Sequence, residues 1–327
     1  MLAWTFAFFS LIIAGLGVAL HMVFNENLKS VDIDSPSGGG RFGKQSDGSQ
    51  YVLILGSDAR SGANGPLAGG ALDTARSDVI MVAHIRKGSP KATIVSIPRD
   101  TLTHIPSCVD SEGRKIKPRN RALINSAYQM GGPPCAVRTV EHMIGVRMDH
   151  FIGIDLAGLA KLVDMLGGVD IAVHDPIKDQ ASGLNIPAGV SRLNGTQSVA
   201  FVRTRHGIGD GSDLARIALQ QKFLLSILKE VSDQGVITNP IKLYRIIDAA
   251  TKALTVDSGL ASTSSLTRLA QSFGKVDAQD TETVMLPVLP DAEDDEKIVV
   301  DQKQATALWA ALKEGRRIPA VVRGFAP

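Results

Sequence analysis

Between Phe201 and Gln221 the sequence reads FVRTRHGIGDGSDLARIALQQ, gathering Arg203, Arg205, His206 and Arg216 around glycines at 207, 209 and 211. Guanidinium groups so placed suit phosphate recognition, because each offers a planar fork of donors and a permanent charge. Phe201 to Arg205 carries few helix signals and reads as the end of a strand, whose two-residue period puts Arg203 and Arg205 on one face. Two adjacent guanidiniums repel weakly in water and strongly in a cleft, so either that face is solvated or a polyanion lies opposite. Ser212 and Asp213 read as N-cap residues of a helix with an apolar stripe at Ile217, Leu224, Ile227, Leu228 and Val231. Arg216 and Gln220 share a face near its start, where free N–H groups and the positive dipole end favour an anion. The same residues would also serve as a basic turn on a solvated surface.

A second constellation is acidic. Tyr51 to Leu55 reads as a buried strand ending in Gly56-Ser57-Asp58, and a glycine-rich loop leads to Asp73, Arg76 and Asp78. Val79 to Ile85 is a second strand, Arg86 to Ser89 a hairpin turn, and Ala92 to Ile97 a third strand ending in Pro98-Arg99-Asp100. If the first two strands are antiparallel neighbours, the end of the first and the start of the second share a sheet edge. The hairpin then returns the third strand to it, so Asp58, Asp78, Arg99 and Asp100 converge. Clustered carboxylates require compensating cations; Arg99 supplies one, and a hard divalent metal held by one or two carboxylates plus phosphate oxygens would supply more. Surface ion pairs with Arg76 and Arg99 would produce the same sequence pattern.

These groups must be carried by a chain of 327 residues with a formal charge of +2 and 5% aromatic residues. That balance excludes a general nucleic-acid binder, which concentrates basic or stacking residues. Leu2 to Phe24 contains no charged residue and is long enough at ~1.5 Å per residue to cross a bilayer core of roughly 30 Å. It reads as a membrane anchor (1–25) rather than a cleaved signal, since it lacks a basic n-region and a clear cleavage site. Residues 26–50 read as a flexible tether, 51–320 as the domain and 321–327 as a tail. Cys108 and Cys135 are the only cysteines. Behind an export-type anchor they suggest one disulfide, the alternative being two buried thiols.

Cys108 to Arg121 reads as an irregular basic insertion. Gly131-Gly132-Pro133 separates a short helix from a second one over Cys135 to Ile144. Phe151 to Ile154 is a strand, Asp155 caps a leucine-rich helix stopped by Gly167-Gly168, and Val169 to Val173 is a further strand. Helices over Pro240 to Ala253, Ser262 to Phe273 and Gln302 to Glu314, with a strand at Glu282 to Leu286, complete an α/β domain: a mixed central sheet flanked by helices. The leucine-rich helices read as core, although a lipid slot would use the same residues.

YVLILGSDAR (51–60), ARSDVIMV (75–82), VSIPRD (95–100), INSAYQMGG (124–132) and VRTRHGIGDGSDLARIALQQ (202–221) together resemble the LytR-CpsA-Psr family of cell-envelope proteins, from Tyr51 to about Leu312. The resemblance implies a single-span anchor in the cell membrane and an extracytoplasmic catalytic domain. It also implies a magnesium-dependent phosphotransferase that moves a glycopolymer from a polyprenyl pyrophosphate carrier to peptidoglycan, with pyrophosphatase activity in several members. Asp58 and Asp78 would bind the metal or act beside it. Arg99, Arg203 and Arg205 would hold the pyrophosphate, Arg216, Gln220 and the adjoining Gln221 would complete the headgroup site, and an apolar slot would take the lipid tail. Leu123 and Leu219 depart from the Lys and Arg common at those family positions, with Arg121 a candidate substitute for the first. The HGIGDGSDLARI wording is most similar to actinobacterial members and implies arabinogalactan or a similar secondary polymer as cargo, teichoic-acid-like and capsular polymers being the other options.

Such a site, with no Ser-His-Asp or Cys-His signature, suits positioning and charge neutralisation rather than a protein nucleophile. Asp58, Asp78 or Asp100 would take the acceptor's proton. The rival classes are a non-catalytic protein presenting lipid-linked polymer to another enzyme, and a membrane-bound transcription regulator, for which no helix-turn-helix is visible.

Overall fold

The computed structural model describes residues 29–34, 42–45, 47–57, 77–89, 91–208, 213–236, 239–273, 276, 280–294 and 297–323. The expected anchor, Asp58, and the glycines at 209 and 211 therefore lie outside the described residues. Among those described, no helix is long and apolar enough to cross a membrane.

In chain order the strands are β1 (Lys29–Val31), β2 (Gln50–Ser57), β3 (Ser77–Ile85), β4 (Ala92–Ser96), β5 (Thr101–Ile105), β6 (Cys108–Val109), β7 (Lys115–Ile116), β8 (Arg119–Leu123), β9 (His150–Asp155), β10 (Val169–Val173), β11 (Ile177–Asp179), β12 (Leu184–Ile186), β13 (Gly189–Leu193), β14 (Leu254–Asp257), β15 (Thr281–Met285), β16 (Val288–Pro290) and β17 (Ile298–Val300). The helices are α1 (Ser126–Ile144), α2 (Leu156–Met165), α3 (Gly195–Arg203), α4 (Asp213–Asp233), α5 (Pro240–Ala253), α6 (Thr263–Phe273), α7 (Gln302–Glu314) and α8 (Ala320–Arg323).

Seven strands form a mixed sheet in the order β1-β14-β9-β2-β3-β4-β15. Strand alternation sends Tyr51, Leu53, Leu55, Ile80, Val82 and Val95 to one face, where they bury against Val137 and Val140 of α1 and Leu308 and Leu312 of α7. Val52, Met81, Ala83 and Ile94 point the other way, onto Leu266 and Leu269 of α6. A separate apolar cluster joins α2, α3 and α4 to the small β10–β13 and β11–β12 pairs.

The first three strands pair as a β-meander, as expected. β2 pairs antiparallel with β3 and β3 with β4, so Ser57 lies opposite Ser77 and Ser96 opposite Met81. Gly131 and Gly132 leave helical geometry inside α1 and break it as expected. Asp155 caps α2 by accepting a 2.7 Å bond from the Gly158 N–H.

Three expectations fail. The tether (26–50) is not free along its length: β1 adds in parallel to β14, and Ile33 behind it is buried in the core. The 321–327 tail begins inside the fold, since Val322 of α8 is fully buried. The basic insertion (Cys108 to Arg121) is not irregular. β6 and β7 form a hairpin, and β8 pairs with β5 in a second sheet of order β16-β17-β5-β8. β8 (RNRAL) has no apolar alternation to betray it because it is an edge strand with polar side chains facing water.

A disulfide joins Cys108 and Cys135, fastening that hairpin to α1 across a separation of 27 residues, with Cα atoms 5.3 Å apart. Gly131 is required here, because any Cβ would collide with the Cys135 Sγ. Replacing both cysteines by serine is expected to lower stability by about 3 kcal/mol in the chain-entropy picture, and Tm by about 6–12 °C. Calorimetry of the oxidised wild type against the double variant measures it.

Candidate active site

The acidic edge assembles where the third strand ends. Arg99 Nη1 meets Asp78 Oδ1 at 2.5 Å, and Arg99 Nε reaches Asp100 Oδ2 at 3.4 Å, so one guanidinium lies between two carboxylates. All three side chains are partly open to solvent. The backbone around them is fixed: the Arg99 carbonyl accepts from the Asn125 N–H at 3.3 Å, which brings the start of α1 onto the same edge. Tyr128, one turn into α1, bonds the Ser57 hydroxyl at the end of β2. Burial pushes its phenol up, the Ser57 bond opposes this, and the Asp155 charge adds to it, so Tyr128 stays protonated. Among the described residues no group of three or more His, Cys, Asp or Glu could hold a metal alone. The available donors are hard carboxylate oxygens, Asp78 and Asp100, carrying one more negative charge than Arg99 neutralises if Arg99 is counted once. That donor set suits a magnesium ion sharing its sphere with water and phosphate oxygens.

The arginine stretch is built differently from the expectation. Phe201 to Arg203 closes α3 instead of ending a strand, so Arg203 and Arg205 do not share a strand face. The reason is local. Asn194 and Gln197 form a capping box, each side chain satisfying the other's backbone N–H at 2.9 and 3.1 Å, and that nucleates a helix through the β-favouring Val199, Phe201 and Val202. Arg203 is the last helical residue and is half-buried, a position that suits a cation at the negative end of the helix dipole. Thr204 ends the helix, fully buried, with its hydroxyl donating to the Ala200 carbonyl and bonded to Ser182. Arg205 and His206 then emerge exposed, and Gly207 turns the chain at φ 73°.

A buried carboxylate with no sequence signal of its own shapes this turn. Asp179, buried at the end of β11, accepts from the backbone N–H groups of Arg205 (3.0 Å), His206 (3.3 Å) and Ala181 (2.9 Å), with Ser182 at 3.4 Å. Burial pushes its carboxyl up, but these four bonds outweigh it and hold the pKa at about 2. Because that lies below the ordinary 3.8, the carboxylate's stabilisation is present above about pH 4 and lost as pH falls towards 2. Asp179→Ala is expected to strand these donors and destabilise the protein by about 1–3 kcal/mol at neutral pH. In denaturant titrations the gap from wild type should narrow as pH drops from about 3.8 to about 2.

The two halves meet through α4. Gln220 Nε2 donates to the Val202 carbonyl at 3.3 Å, next to Arg203. Gln221 Nε2 donates at 2.8 Å to Ser96 Oγ, on β4 three residues before Arg99, and at 3.1 Å to the Val284 carbonyl of β15. Arg216, Gln220 and Gln221 are all buried in this helix. The expected headgroup amides are thus engaged inside the protein as braces. Arg121, the candidate stand-in for the lysine absent at position 123, is paired with Asp291 (2.8 Å) and Glu293 (3.0 Å).

A mixed α/β sheet carrying an acid–arginine edge, braced against a helix turn with further arginines, defines a domain suited to a phosphate-bearing ligand. The chain belongs to the LytR-CpsA-Psr family, whose model (LytR_cpsA_psr family) matches residues 20–314. It is 31% identical over 264 residues to the cell wall biosynthesis protein LcpA of Corynebacterium glutamicum, covering 72% of this chain and 51% of LcpA. It is 32% identical over 270 residues to the probable cell wall biosynthesis protein LcpB of the same organism, covering 80% and 60%. The matched regions thus span only half to three fifths of those relatives' own lengths. A polyisoprenyl-teichoic acid–peptidoglycan teichoic acid transferase, TagU of Bacillus mycoides, is 30% identical over 238 residues, covering 70% and 71%. In fold, the chain is similar to the LytR-Csp2A-Psr enzyme from Actinomyces oris (TM-score 0.61, 23% identity, 88% and 96% covered). It is likewise similar to TagT bound to LI-WTA (TM-score 0.62, 20% identity, 84% and 96% covered).

Proposed function

We propose that this protein is an extracytoplasmic, membrane-anchored phosphotransferase that moves a glycopolymer from a polyprenyl pyrophosphate carrier to peptidoglycan. The observation that carries the reading is Arg99 held between Asp78 and Asp100 on the edge to which Gln221 braces α4. An acceptor sugar hydroxyl attacks the phosphorus bearing the glycan, a phosphodiester forms, the P–O–P bond breaks, and polyprenyl phosphate leaves. Asp58, Asp78 or Asp100 takes the hydroxyl proton, and Arg99, Arg203 and Arg205 bind the pyrophosphate oxygens, where charge develops. Asp78 and Asp58 would hold magnesium, which supplies further neutralisation of the phosphate charge. If water replaces the sugar hydroxyl, the same steps amount to pyrophosphatase activity. Arabinogalactan or a similar secondary polymer is the proposed cargo.

Support for a lipid tail comes from the second face of the sheet. Ile54, Val79 and Ile152, on neighbouring strands β2, β3 and β9, stay only partly buried, and so do Leu224 and Leu228 of α4, which belong to the same cluster. A sheet interior normally closes completely over such residues, and a slot for an isoprenoid chain leaves them open.

The test is to incubate the full chain in detergent with a radiolabelled polyprenyl pyrophosphate-linked oligosaccharide and peptidoglycan fragments, with magnesium or with chelator. Magnesium-dependent release of polyprenyl phosphate, with sugar phosphate appearing on the acceptor, is the expected result. Tight binding of the lipid-linked sugar without release under any condition would instead identify a presenting protein.

A further inference from the structure

We propose that β1 fixes the catalytic edge of the sheet against the lipid bilayer. This rests on reading Leu2 to Phe24 as a membrane anchor, and it follows from strand register. Lys29 pairs with Thr255, Thr255 with Gly153, Gly153 with Leu55 and Leu55 with Ile80, so these residues form one row across the sheet. The row continues to β4, where the Ile97 N–H donates to the Ile80 carbonyl. Asp78 lies two residues beyond it on β3, and Arg99 two residues beyond Ile97 in the turn that follows β4. The chain therefore enters at the same end of the sheet as the acid–arginine cluster, four strands from β3 at ~4.8 Å each, and runs away from that end along β1, antiparallel to β2.

Chain length bounds this placement. Only residues 25–28 separate the apolar run from β1, a span of at most about 14 Å when fully extended at ~3.5 Å per residue. The opposite edge, marked by the Arg86–Ser89 hairpin, is farther by the length of the eight-residue β2, roughly 26 Å at ~3.3 Å per residue. β1 is also secured at its far end. Ile33 is buried in the core, and Asp34 accepts from Arg147 at 2.7 Å, so the strand transmits position instead of swinging. A carrier lipid keeps its pyrophosphate at headgroup level, and an edge tethered this closely meets it without the lipid leaving the membrane.

Two single-cysteine variants of the full chain test the placement, since both native cysteines are tied up in the disulfide. Lys252→Cys lies two residues before Leu254, which shares a row with Ile154 and Gly56 near the catalytic edge; Lys87→Cys lies in the opposite hairpin. Both side chains are exposed. With a fluorophore on each in phospholipid vesicles carrying a headgroup-bound quencher, the label at 252 should be quenched several-fold more than the label at 87. A long Gly-Ser insertion between Asn27 and Leu28 should abolish the contrast. Equal or reversed quenching overturns the proposal, as does a contrast that survives the insertion. Failure of the full chain to float with vesicles removes the anchor and the proposal with it. The expected contrast in a protein that transfers no sugar phosphate supports the placement and counts against the proposed reaction alone.

Discussion

Asp78→Asn is expected to lower sugar-phosphate transfer by about 10²–10³-fold while the affinity for lipid-linked oligosaccharide stays within about threefold of wild type. The substitution keeps the shape and removes one negative charge. Arg99 Nη1 now sits 2.5 Å from a carboxylate that both neutralises and aims it. With an amide there, the guanidinium loses its closest anionic partner while the Asp100 carboxylate stays 3.4 Å away, and the edge loses an anionic hard oxygen ligand. Both partners are partly solvated, so the stability change should be about 1 kcal/mol or less, which separates a chemical effect from unfolding. Single-turnover release of polyprenyl phosphate, measured beside equilibrium binding, reads both quantities. A variant that binds and transfers normally would remove Asp78 from the machinery.

Arg205→Ala should produce a loss of similar size, about 10²–10³-fold in turnover, because one missing cationic donor at developing phosphate charge is worth that much. This position gives a clean measurement. The side chain is exposed and its backbone is held independently by Asp179, so the turn should survive truncation, with stability within about 0.5 kcal/mol. Arg203→Ala should lose activity comparably. Lysine at either position should recover only part of it, since a point charge lacks the fork that engages two oxygens. Near-normal transfer by both alanine variants would sink the assignment of this turn to the pyrophosphate.

How much of this was legible depended on whether the interaction concerned was local in sequence. The edge bearing Asp78, Arg99 and Asp100 follows from one tight hairpin, because the Arg86–Ser89 turn leaves β4 only one direction in which to run. Asp155 as a cap and the break at Gly131-Gly132 are likewise decided within a few residues. α3 replaces the expected strand end although its signal is present in the sequence: Asn194 and Gln197 at capping-box spacing outweigh the strand preference of the valines and phenylalanine that follow. Asp179 was invisible for a different reason. Its key partners are backbone N–H groups 26 and 27 residues away, and main-chain donors leave no trace in side-chain identity. β1 and β8 escaped notice because edge strands are selected for polarity, which removes the alternation that reveals interior strands.

The adjoining glutamines of α4 set a spacing that does not depend on the loops. Successive residues on an α-helix differ by about 100° and ~1.5 Å, so when Gln220 grips the end of α3 and Gln221 grips β4, the offset between the two halves equals one step of that screw. A deletion or insertion in the connections on either side can leave this offset untouched, whereas a single residue inserted between Gln220 and Gln221 would rotate one grip by about 100° from the other. The helix should therefore tolerate side-chain replacement on its solvent face but not a residue inserted between the two glutamines, while the connecting loops can change in length.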